Sequence, residues 1–105
     1  MKKSNINEWT QSEYLTNKNN LAKEDIKVLL IDTILSPIDR AETVVYNPIE
    51  LVKEPMSTIF VFYCDSGKAS LDRLGEYRKK FPNNQCISLK GGRGYWRKYM
   101  DIVDD

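Results

Sequence analysis

Residues 64–70 contain the side chains of this chain that are best suited to covalent chemistry. They read Cys-Asp-Ser-Gly-Lys-Ala-Ser, between an apolar run that ends at Tyr63 and a stretch with helical spacing. A cysteine at the start of a helix lies near the positive end of the helix dipole and near backbone N–H groups that have no intrahelical partner. Both favour the thiolate, so we expect a pKa below the free value of about 8.5. The segment therefore predicts a nucleophilic sulfur on Cys64.

The other residues of the segment are of types that stabilise an anionic sulfur. Gly67 permits a positive φ, which lets successive amides turn inward around an anion. Lys68 offers a cation, and Ser66 and Ser70 offer hydroxyl donors. We therefore predict a cradle for a thiolate, or for the anionic persulfide that forms when this thiolate accepts a second sulfur. The alternative is that Cys64 is a packing residue in a buried strand end.

The chain contains no histidine and only two cysteines, Cys64 and Cys86. The absence of histidine excludes Ser-His-Asp and Cys-His nucleophilic systems within this chain. Two cysteines far apart in sequence do not form a structural zinc site by themselves, so neither a metal nor another cofactor is predicted. They are also too few for a disulfide framework, which favours a reducing, cytoplasmic location.

Length and charge indicate one small globular domain over residues 1–105. The chain is 41% hydrophobic and carries a formal net charge of +1. This balance gives no electrostatic reason to expect nucleic acid or an anionic membrane as a partner. The longest apolar run, Ile59–Tyr63, is too short to span a bilayer, and the first residues lack the apolar core of a secretory signal. We expect a soluble domain, and the sequence leaves its oligomeric state open.

Four apolar runs predict strands, and helical patterns alternate with them. The predicted strands are residues 28–31, 43–46, 58–63 and 86–89. Continuous β-branched runs are typical of parallel strands that are covered on both faces. The alternation implies an α/β fold of three layers, with a small, mostly parallel sheet between helices. Ligands bind at the carboxyl ends of the strands in such sheets, and Cys64 follows one of these ends.

Three segments have the spacing of helices. The first is residues 7–15, with Asn7 as the N-cap and the asparagine-rich residues 17–20 as the loop that ends it. The second follows Cys64, and the third follows a turn at Gly91 and Gly92. The apolar positions of the second are Leu71, Leu74, Tyr77 and Phe81, and those of the third are Tyr95, Trp96, Tyr99 and Met100.

Three segments together resemble the single-domain rhodanese-like family of sulfurtransferases. Residues 60–70, FVFYCDSGKAS, resemble its active-site loop, where a strand ends in Cys-x-x-Gly-x-x-Ser. Residues 88–96, SLKGGRGYW, resemble its closing motif of an apolar residue, a Gly-Gly turn and a helix that carries a tryptophan. Residues 30–33, LIDT, are similar to its second-strand signature, which ends in aspartate. The resemblance covers the chain from about residue 28 to residue 100.

This resemblance implies a rhodanese-like fold and a sulfurtransferase that carries sulfane sulfur on Cys64 as a persulfide. The implied donor is thiosulfate or a persulfide, and the implied acceptor is cyanide or a thiol, including a thiol on a protein. Arg93 would attract an anionic donor, since the Gly-Gly turn lies beside the loop in that fold; the alternative is an ordinary solvated basic face shared with Lys90, Arg97 and Lys98. The residues implied to bind the substrate and the persulfide are Asp65, Ser66, Gly67, Lys68, Ala69 and Ser70.

The chain departs from the family pattern between residues 33 and 50. Ile34 and Leu35 stand where the family has a small residue and an arginine, and the Gly-His-Ile-x-Gly-Ala stretch is missing. These departures bear more on efficient turnover of thiosulfate than on formation of the Cys64 persulfide. They also support a second function, in which the chain is a weakly active or inactive rhodanese-like module that binds or regulates a partner. A related cysteine phosphatase would need an arginine to close its phosphate loop, and position 70 is serine.

Four residues near these motifs are interpreted as structural. Cys86 is assigned to the core, with a resolving thiol for Cys64 as the alternative. Asp32 is expected to hydrogen-bond loop backbone, and Tyr95 and Trp96 are expected to pack.

Overall fold

The structure is a computed structural model that describes residues 6–97. In that range the chain has an α/β fold with a five-stranded, all-parallel sheet in the order β1-β5-β4-β2-β3. The predicted fold class is therefore confirmed. The strands are β1 (Glu8–Trp9), β2 (Val28–Asp32), β3 (Thr43–Val45), β4 (Ile59–Tyr63) and β5 (Cys86–Leu89). The helices are α1 (Gln11–Ala22), α2 (Pro48–Leu51), α3 (Lys68–Asp72) and α4 (Leu74–Lys80), followed by a 3₁₀ helix over Arg93–Tyr95.

The side chains of β4 alternate between two hydrophobic clusters, one on each face of the sheet. Val61 and Tyr63 belong to the first cluster, which includes residues of α1. Phe60 and Phe62 belong to the second, where the ring of Phe62 stacks on that of Tyr77 in α4 with centroids 3.9 Å apart. All five residues of β4 are buried. Coverage of both faces explains the continuous apolar run, and it produces the three layers.

The strand register brings the carboxyl ends of the central strands to one edge of the sheet. Asp32, at the end of β2, pairs with Tyr63 at the end of β4, and Phe62 pairs with Ser88 near the end of β5. The segments that follow these strands therefore meet at this edge. In parallel α/β sheets this is where ligands bind. Cys64 is the first residue after β4.

The predicted start of the first helix is wrong. Helix α1 begins at Gln11, and its N-cap is Thr10 rather than Asn7. Thr10 and Glu13 form a reciprocal capping box, in which each side chain accepts the backbone N–H of the other. The preceding residues, Glu8–Trp9, form β1 and pair with β5. The capping box satisfies two orphan N–H groups at once, which favours this start over one at Asn7.

The predicted end of this helix is also wrong, because residues 17–20 are helical and α1 continues to Ala22. An asparagine costs at most about 0.7 kcal/mol in a helix relative to alanine. Leu15 and Leu21, on either side of this stretch, pack against the first cluster. Each leucine is half-buried, so the two together contribute about as much as one fully buried leucine, roughly 1.5–3 kcal/mol. This offsets the combined cost of the three asparagines, which is at most about 2 kcal/mol.

The single helix predicted after Cys64 is two helices, α3 and α4. Arg73 separates them with φ −93° and ψ 1°, between the usual helical and extended regions. Leu74, Tyr77 and Phe81 are buried, as their helical spacing predicts. The apolar spacing continues across the break, so it does not reveal where one helix ends and the next begins.

The predicted last helix is a single 3₁₀ turn in the described residues. Trp96 follows in an extended conformation with ψ 129°, and it packs against the first cluster as predicted. Tyr95 is 78% exposed, so its predicted packing role is wrong. Glycines make up three of the four residues 91–94, and each costs about 1 kcal/mol in a helix. Tyr99 and Met100 lie outside the described residues.

No helix within residues 6–97 combines the length and the apolar character that crossing a membrane requires. In the same range no group of three or more cysteine, aspartate or glutamate residues is placed to hold a metal ion. Both cysteines are free thiols.

Candidate active site

The sulfur of Cys64 lies inside the turn that joins β4 to α3. The Gly67 N–H donates to Cys64 Sγ at 3.1 Å, and the Ser70 N–H donates to it at 3.4 Å. The Ser70 Oγ lies 3.5 Å from the same sulfur. Cys64 is only 4% exposed. The sulfur is therefore buried, as the packing alternative expects, and it is also surrounded by donors, as the reactive alternative expects.

Burial and hydrogen bonding act in opposite directions on the pKa of the Cys64 thiol. Desolvation raises the pKa, because a buried thiolate loses its hydration. The Ser70 hydroxyl and the backbone N–H groups of Ser70, Gly67 and Ser66 lower it by hydrogen bonding to the sulfur. The hydrogen bonds outweigh the burial, and the pKa lies below that of an ordinary cysteine. The shift has the direction that the sequence predicts.

Gly67 gives the turn its shape. Its φ is +90°, so the predicted positive φ is confirmed. A Cβ at this position would lie 2.7 Å from the backbone nitrogen of Gly91, closer than real Cβ atoms approach. A side chain here is therefore excluded both by the backbone conformation and by the neighbouring turn. The conformation directs the Gly67 N–H to the sulfur of Cys64.

Among the other side chains predicted around the sulfur, Ser70 contacts it and three have different surroundings. Ser66 Oγ accepts the N–H of Lys68 at 3.3 Å. Lys68 Nζ forms an ion pair with Asp72 at 3.7 Å, and both side chains are largely exposed. Ala69 is exposed on α3. The donors that reach the sulfur thus come from the backbone and from one hydroxyl.

The turn after β5 packs directly against the Cys64 turn. The Arg93 N–H donates to the Cys64 carbonyl oxygen at 2.8 Å, and the Gly94 N–H donates to the carbonyl of Asp65, an exposed residue, at 2.8 Å. The exposed Arg93 side chain donates from Nε to the carbonyl oxygen of Pro37 at 3.2 Å. Arg93 therefore connects the Cys64 turn to the segment that follows β2.

That segment is held by Asp32, which is 1% exposed. Its carboxylate accepts the N–H of Ile34 at 2.8 Å and that of Ser36 at 2.7 Å, so its predicted bonding to loop backbone is confirmed. The Tyr63 hydroxyl donates to the Ser36 carbonyl oxygen at 2.7 Å. Although this part of the chain departs from the family pattern, these bonds attach it to the strand that carries Cys64.

Ser88 is a residue of the site that the sequence analysis does not single out. It lies in β5, is 0% exposed, and its Oγ is 2.7 Å from the Oγ of Ser70. The signal in the sequence is a serine inside the apolar run 86–89, because a buried hydroxyl needs a hydrogen-bond partner. The spacing does not identify that partner, which lies 18 residues earlier in the chain.

Cys86 is a core residue, as predicted. Burial raises the pKa of its thiol to about 11, although the charge of Arg78 acts in the opposite direction. Cys86 in β5 pairs with Phe60 in β4, and Cys64 lies four residues after Phe60 in the chain. At about 3.3 Å per residue the two cysteines are roughly 13 Å apart, beyond the Cα separation of about 4.4–6.8 Å that a disulfide needs. The geometry does not support a resolving thiol.

Two cavities lie beside the end of β4. One, of about 610 Å³, includes Ser66, Gly67 and Lys68 in its lining. The other, of about 390 Å³, includes Thr33, whose hydroxyl donates to the Tyr63 carbonyl oxygen at 2.7 Å. Cys64 lines neither of these two cavities. Access of a small molecule to the sulfur is thus one property that a sulfur carrier needs and a packed cysteine does not.

Comparisons of the chain with protein-family models, with curated proteins and with solved structures found no match. The α/β class follows from the strand order and the packing described above. The resemblance to the rhodanese-like family depends on the three motifs in the sequence, and the assignment of a function depends on the geometry around Cys64.

Proposed function

We propose that this chain is a rhodanese-like sulfurtransferase in which Cys64 carries sulfane sulfur as a persulfide. The observation that carries the proposal is the pair of backbone N–H groups on the sulfur, from Gly67 at 3.1 Å and Ser70 at 3.4 Å. Hydrogen bonds to an ionised acceptor are roughly twice as strong as those between neutral groups. The arrangement therefore favours an anionic sulfur, which a cysteine with only a packing role does not need.

The transfer would take place in two displacements at sulfur. The Cys64 thiolate attacks the outer sulfur of thiosulfate; an S–S bond forms to Sγ, the S–S bond of the donor breaks, and its electron pair leaves with sulfite. An acceptor thiolate or cyanide then attacks the terminal sulfur of the persulfide, and Cys64 leaves again as a thiolate. The donors around Sγ stabilise the nucleophile of the first step and the leaving group of the second.

The contacts in the turn suit a single sulfur atom better than a phosphate. A cysteine phosphatase uses an arginine at the end of its loop as a bidentate clamp. Ser70 occupies that position, and its hydroxyl lies between the Cys64 sulfur and Ser88. Phosphoryl transfer therefore lacks the cation it requires at this position.

The second function, a module that binds or regulates a partner with little turnover, is favoured by different observations. Cys64 is 4% exposed, which limits the approach of a donor. The two cations expected near the sulfur are engaged elsewhere, Lys68 with Asp72 and Arg93 with the Pro37 carbonyl oxygen. Direct measurement of sulfur uptake separates the two functions.

We expect the protein to gain the mass of one sulfur atom when it is incubated with thiosulfate or a small persulfide. The added sulfur is a terminal sulfane atom, so cyanide should remove it and restore the original mass. Intact-mass spectrometry before and after cyanide treatment makes both measurements. Failure to gain sulfur from either donor would contradict the carrier function and support the binding module.

The rate of sulfur uptake should depend on pH through the Cys64 thiol. Because its pKa is lowered, the thiolate predominates from a lower pH than in an ordinary cysteine, and the rate falls as the pH decreases through that lowered pKa. Initial rates of uptake from thiosulfate over a range of pH give the midpoint, with a small unstructured cysteine peptide as the reference. A midpoint equal to or above that of the peptide would show that burial outweighs the hydrogen bonds.

A further inference from the structure

Two buried hydroxyl groups form a chain that ends at the Cys64 sulfur. Ser88 Oγ lies 2.7 Å from Ser70 Oγ, which lies 3.5 Å from Cys64 Sγ. Ser70 is 1% exposed and Ser88 is 0% exposed, so neither hydroxyl is open to bulk water. Buried hydroxyls in folded proteins are almost always hydrogen-bonded within the protein. The direction of the two hydroxyl protons therefore decides whether Cys64 Sγ receives a hydrogen bond from Ser70.

The Ser70 hydroxyl has one proton and three acceptors within reach. These are Cys64 Sγ and the Gly67 carbonyl oxygen, both at 3.5 Å, and Ser88 Oγ at 2.7 Å. If Ser70 donates to Ser88, the sulfur loses its only hydroxyl donor among these contacts. If Ser88 donates to Ser70, the proton of Ser70 is left for the sulfur or the carbonyl, and an anionic sulfur attracts it more strongly than a neutral oxygen does.

We propose that Ser88 is a positioning residue: its hydroxyl donates to Ser70 and thereby directs the Ser70 hydroxyl onto the Cys64 sulfur. The inference rests on the proposed function, since a donor fixed on the sulfur is useful when the sulfur is an anion. Ser88 acts through Ser70. Its strand, β5, lies between β1 and β4 in the sheet, so the donor is held by a paired segment of backbone.

The chain of hydroxyls orients a donor and does not lead a proton to solvent. When Cys64 is protonated, the same groups can reverse their direction, with the thiol donating to Ser70 and Ser70 donating to Ser88. The hydroxyl of Ser88 is fully buried, so the chain stops inside the protein. Cys64 can thus keep a hydrogen bond to Ser70 in both protonation states through a rotation of two hydroxyls.

A double-mutant cycle tests this inference, with the ultraviolet absorbance of the Cys64 thiolate followed against pH. Ser88→Ala should move the midpoint of thiolate formation to higher pH and lower the thiolate fraction below the midpoint by up to about fivefold, because the Ser70 hydroxyl keeps its contact with the sulfur but loses the donor that polarises and holds it. Ser70→Ala should move it in the same direction by at least as much. In the Ser70→Ala background, Ser88→Ala should have no further effect, because its action passes through the missing hydroxyl.

Ser88→Thr and Ser88→Val form a second pair that differs mainly in the presence of a hydroxyl, so their difference remains informative if both variants are less stable. The threonine variant should keep a lower midpoint than the valine variant. The control is Thr58→Val, which removes a buried hydroxyl at the amino-terminal end of β4 and should leave the midpoint unchanged. Circular dichroism establishes that each variant is folded.

Equal shifts from Ser88→Ala in the presence and absence of the Ser70 hydroxyl, or no shift at all, would overturn the inference. Sulfur uptake by the wild type together with an unmoved midpoint in Ser88→Ala would overturn the role of Ser88 and leave the carrier function in place. The coupled shift without any sulfur uptake would overturn the carrier function and leave the role of Ser88 in place.

Discussion

Replacement of Cys64 by alanine is expected to abolish sulfur uptake, whereas replacement of Cys86 by alanine is expected to leave it intact. The sulfur of Cys64 has N–H donors and a lowered pKa. The Cys86 thiol has a pKa of about 11, so roughly one part in ten thousand is thiolate at neutral pH. Intact mass after incubation with thiosulfate should show one added sulfur in the wild type and in Cys86→Ala, and none in Cys64→Ala.

The two variants serve as controls for each other, since both remove one buried thiol and make the same change of side chain. Cys64 is 4% exposed and Cys86 is 1% exposed, so a general effect of opening the core should appear in both. A sulfur adduct on Cys64→Ala, or the absence of the adduct in Cys86→Ala, would contradict the assignment of the carried sulfur to Cys64. Circular dichroism of both proteins at the assay temperature confirms that unfolded chains do not contribute.

The strands were predictable because their information is local. β4 is a run of apolar residues that is buried on both faces, and such a run is visible without knowledge of its partners. β1 is different: it has two residues, and its pairing of Trp9 with Leu89 joins positions 80 residues apart. No pattern within residues 7–10 distinguishes a short edge strand from the first turn of a helix. The capping box at Thr10 and Glu13 was present in the sequence and is the signal that would have placed the start of α1.

The Cys64 site likewise has a part that the local sequence predicts and a part that depends on distant contacts. The cysteine, the glycine with positive φ and the serine hydroxyl come from one short segment, and their types indicate an anion-binding turn. The partner of Lys68 is also local, since Asp72 lies four residues later on α3, and this pairing competes with attraction to the sulfur. Ser88 reaches Ser70 only because β5 pairs with β4. Long-range pairing of this kind is not encoded in the spacing of one segment.

The balance between burial and hydrogen bonding at Cys64 explains why the sequence left two alternatives open. A cysteine that packs and a cysteine that carries sulfur both follow a buried strand in this fold. They differ in whether the following backbone turns its N–H groups toward the sulfur, which depends on φ at Gly67 and on the turn that packs against it. Gly91 and Gly92 belong to that second turn, so the surroundings of the Cys64 sulfur depend on residues about 30 positions later in the chain.

Gly92→Ala should both destabilise the fold and disturb the sulfur site. Gly92 has φ +59° and ψ −155°, a region that is essentially restricted to glycine. Its added Cβ would meet the Cys64 carbonyl oxygen and would lie 2.7 Å from the backbone nitrogen of Gly67, the donor to the sulfur. Backbone strain and overpacking together should lower the free energy of unfolding by about 2–6 kcal/mol. Urea denaturation measures this change.

Gly75→Ala is the matched control, because its Cβ would meet nothing within 4 Å and its position in α4 is helical. It should be neutral or stabilise the protein by up to about 1 kcal/mol.

Gly92→Ala should also raise the pKa of Cys64, since moving the Gly67 N–H removes a hydrogen bond that favours the thiolate while the sulfur stays buried. A Gly92→Ala protein with wild-type stability and an unchanged Cys64 pKa would mean that the two turns are not in contact as described, and the geometric basis for an anionic sulfur would be lost.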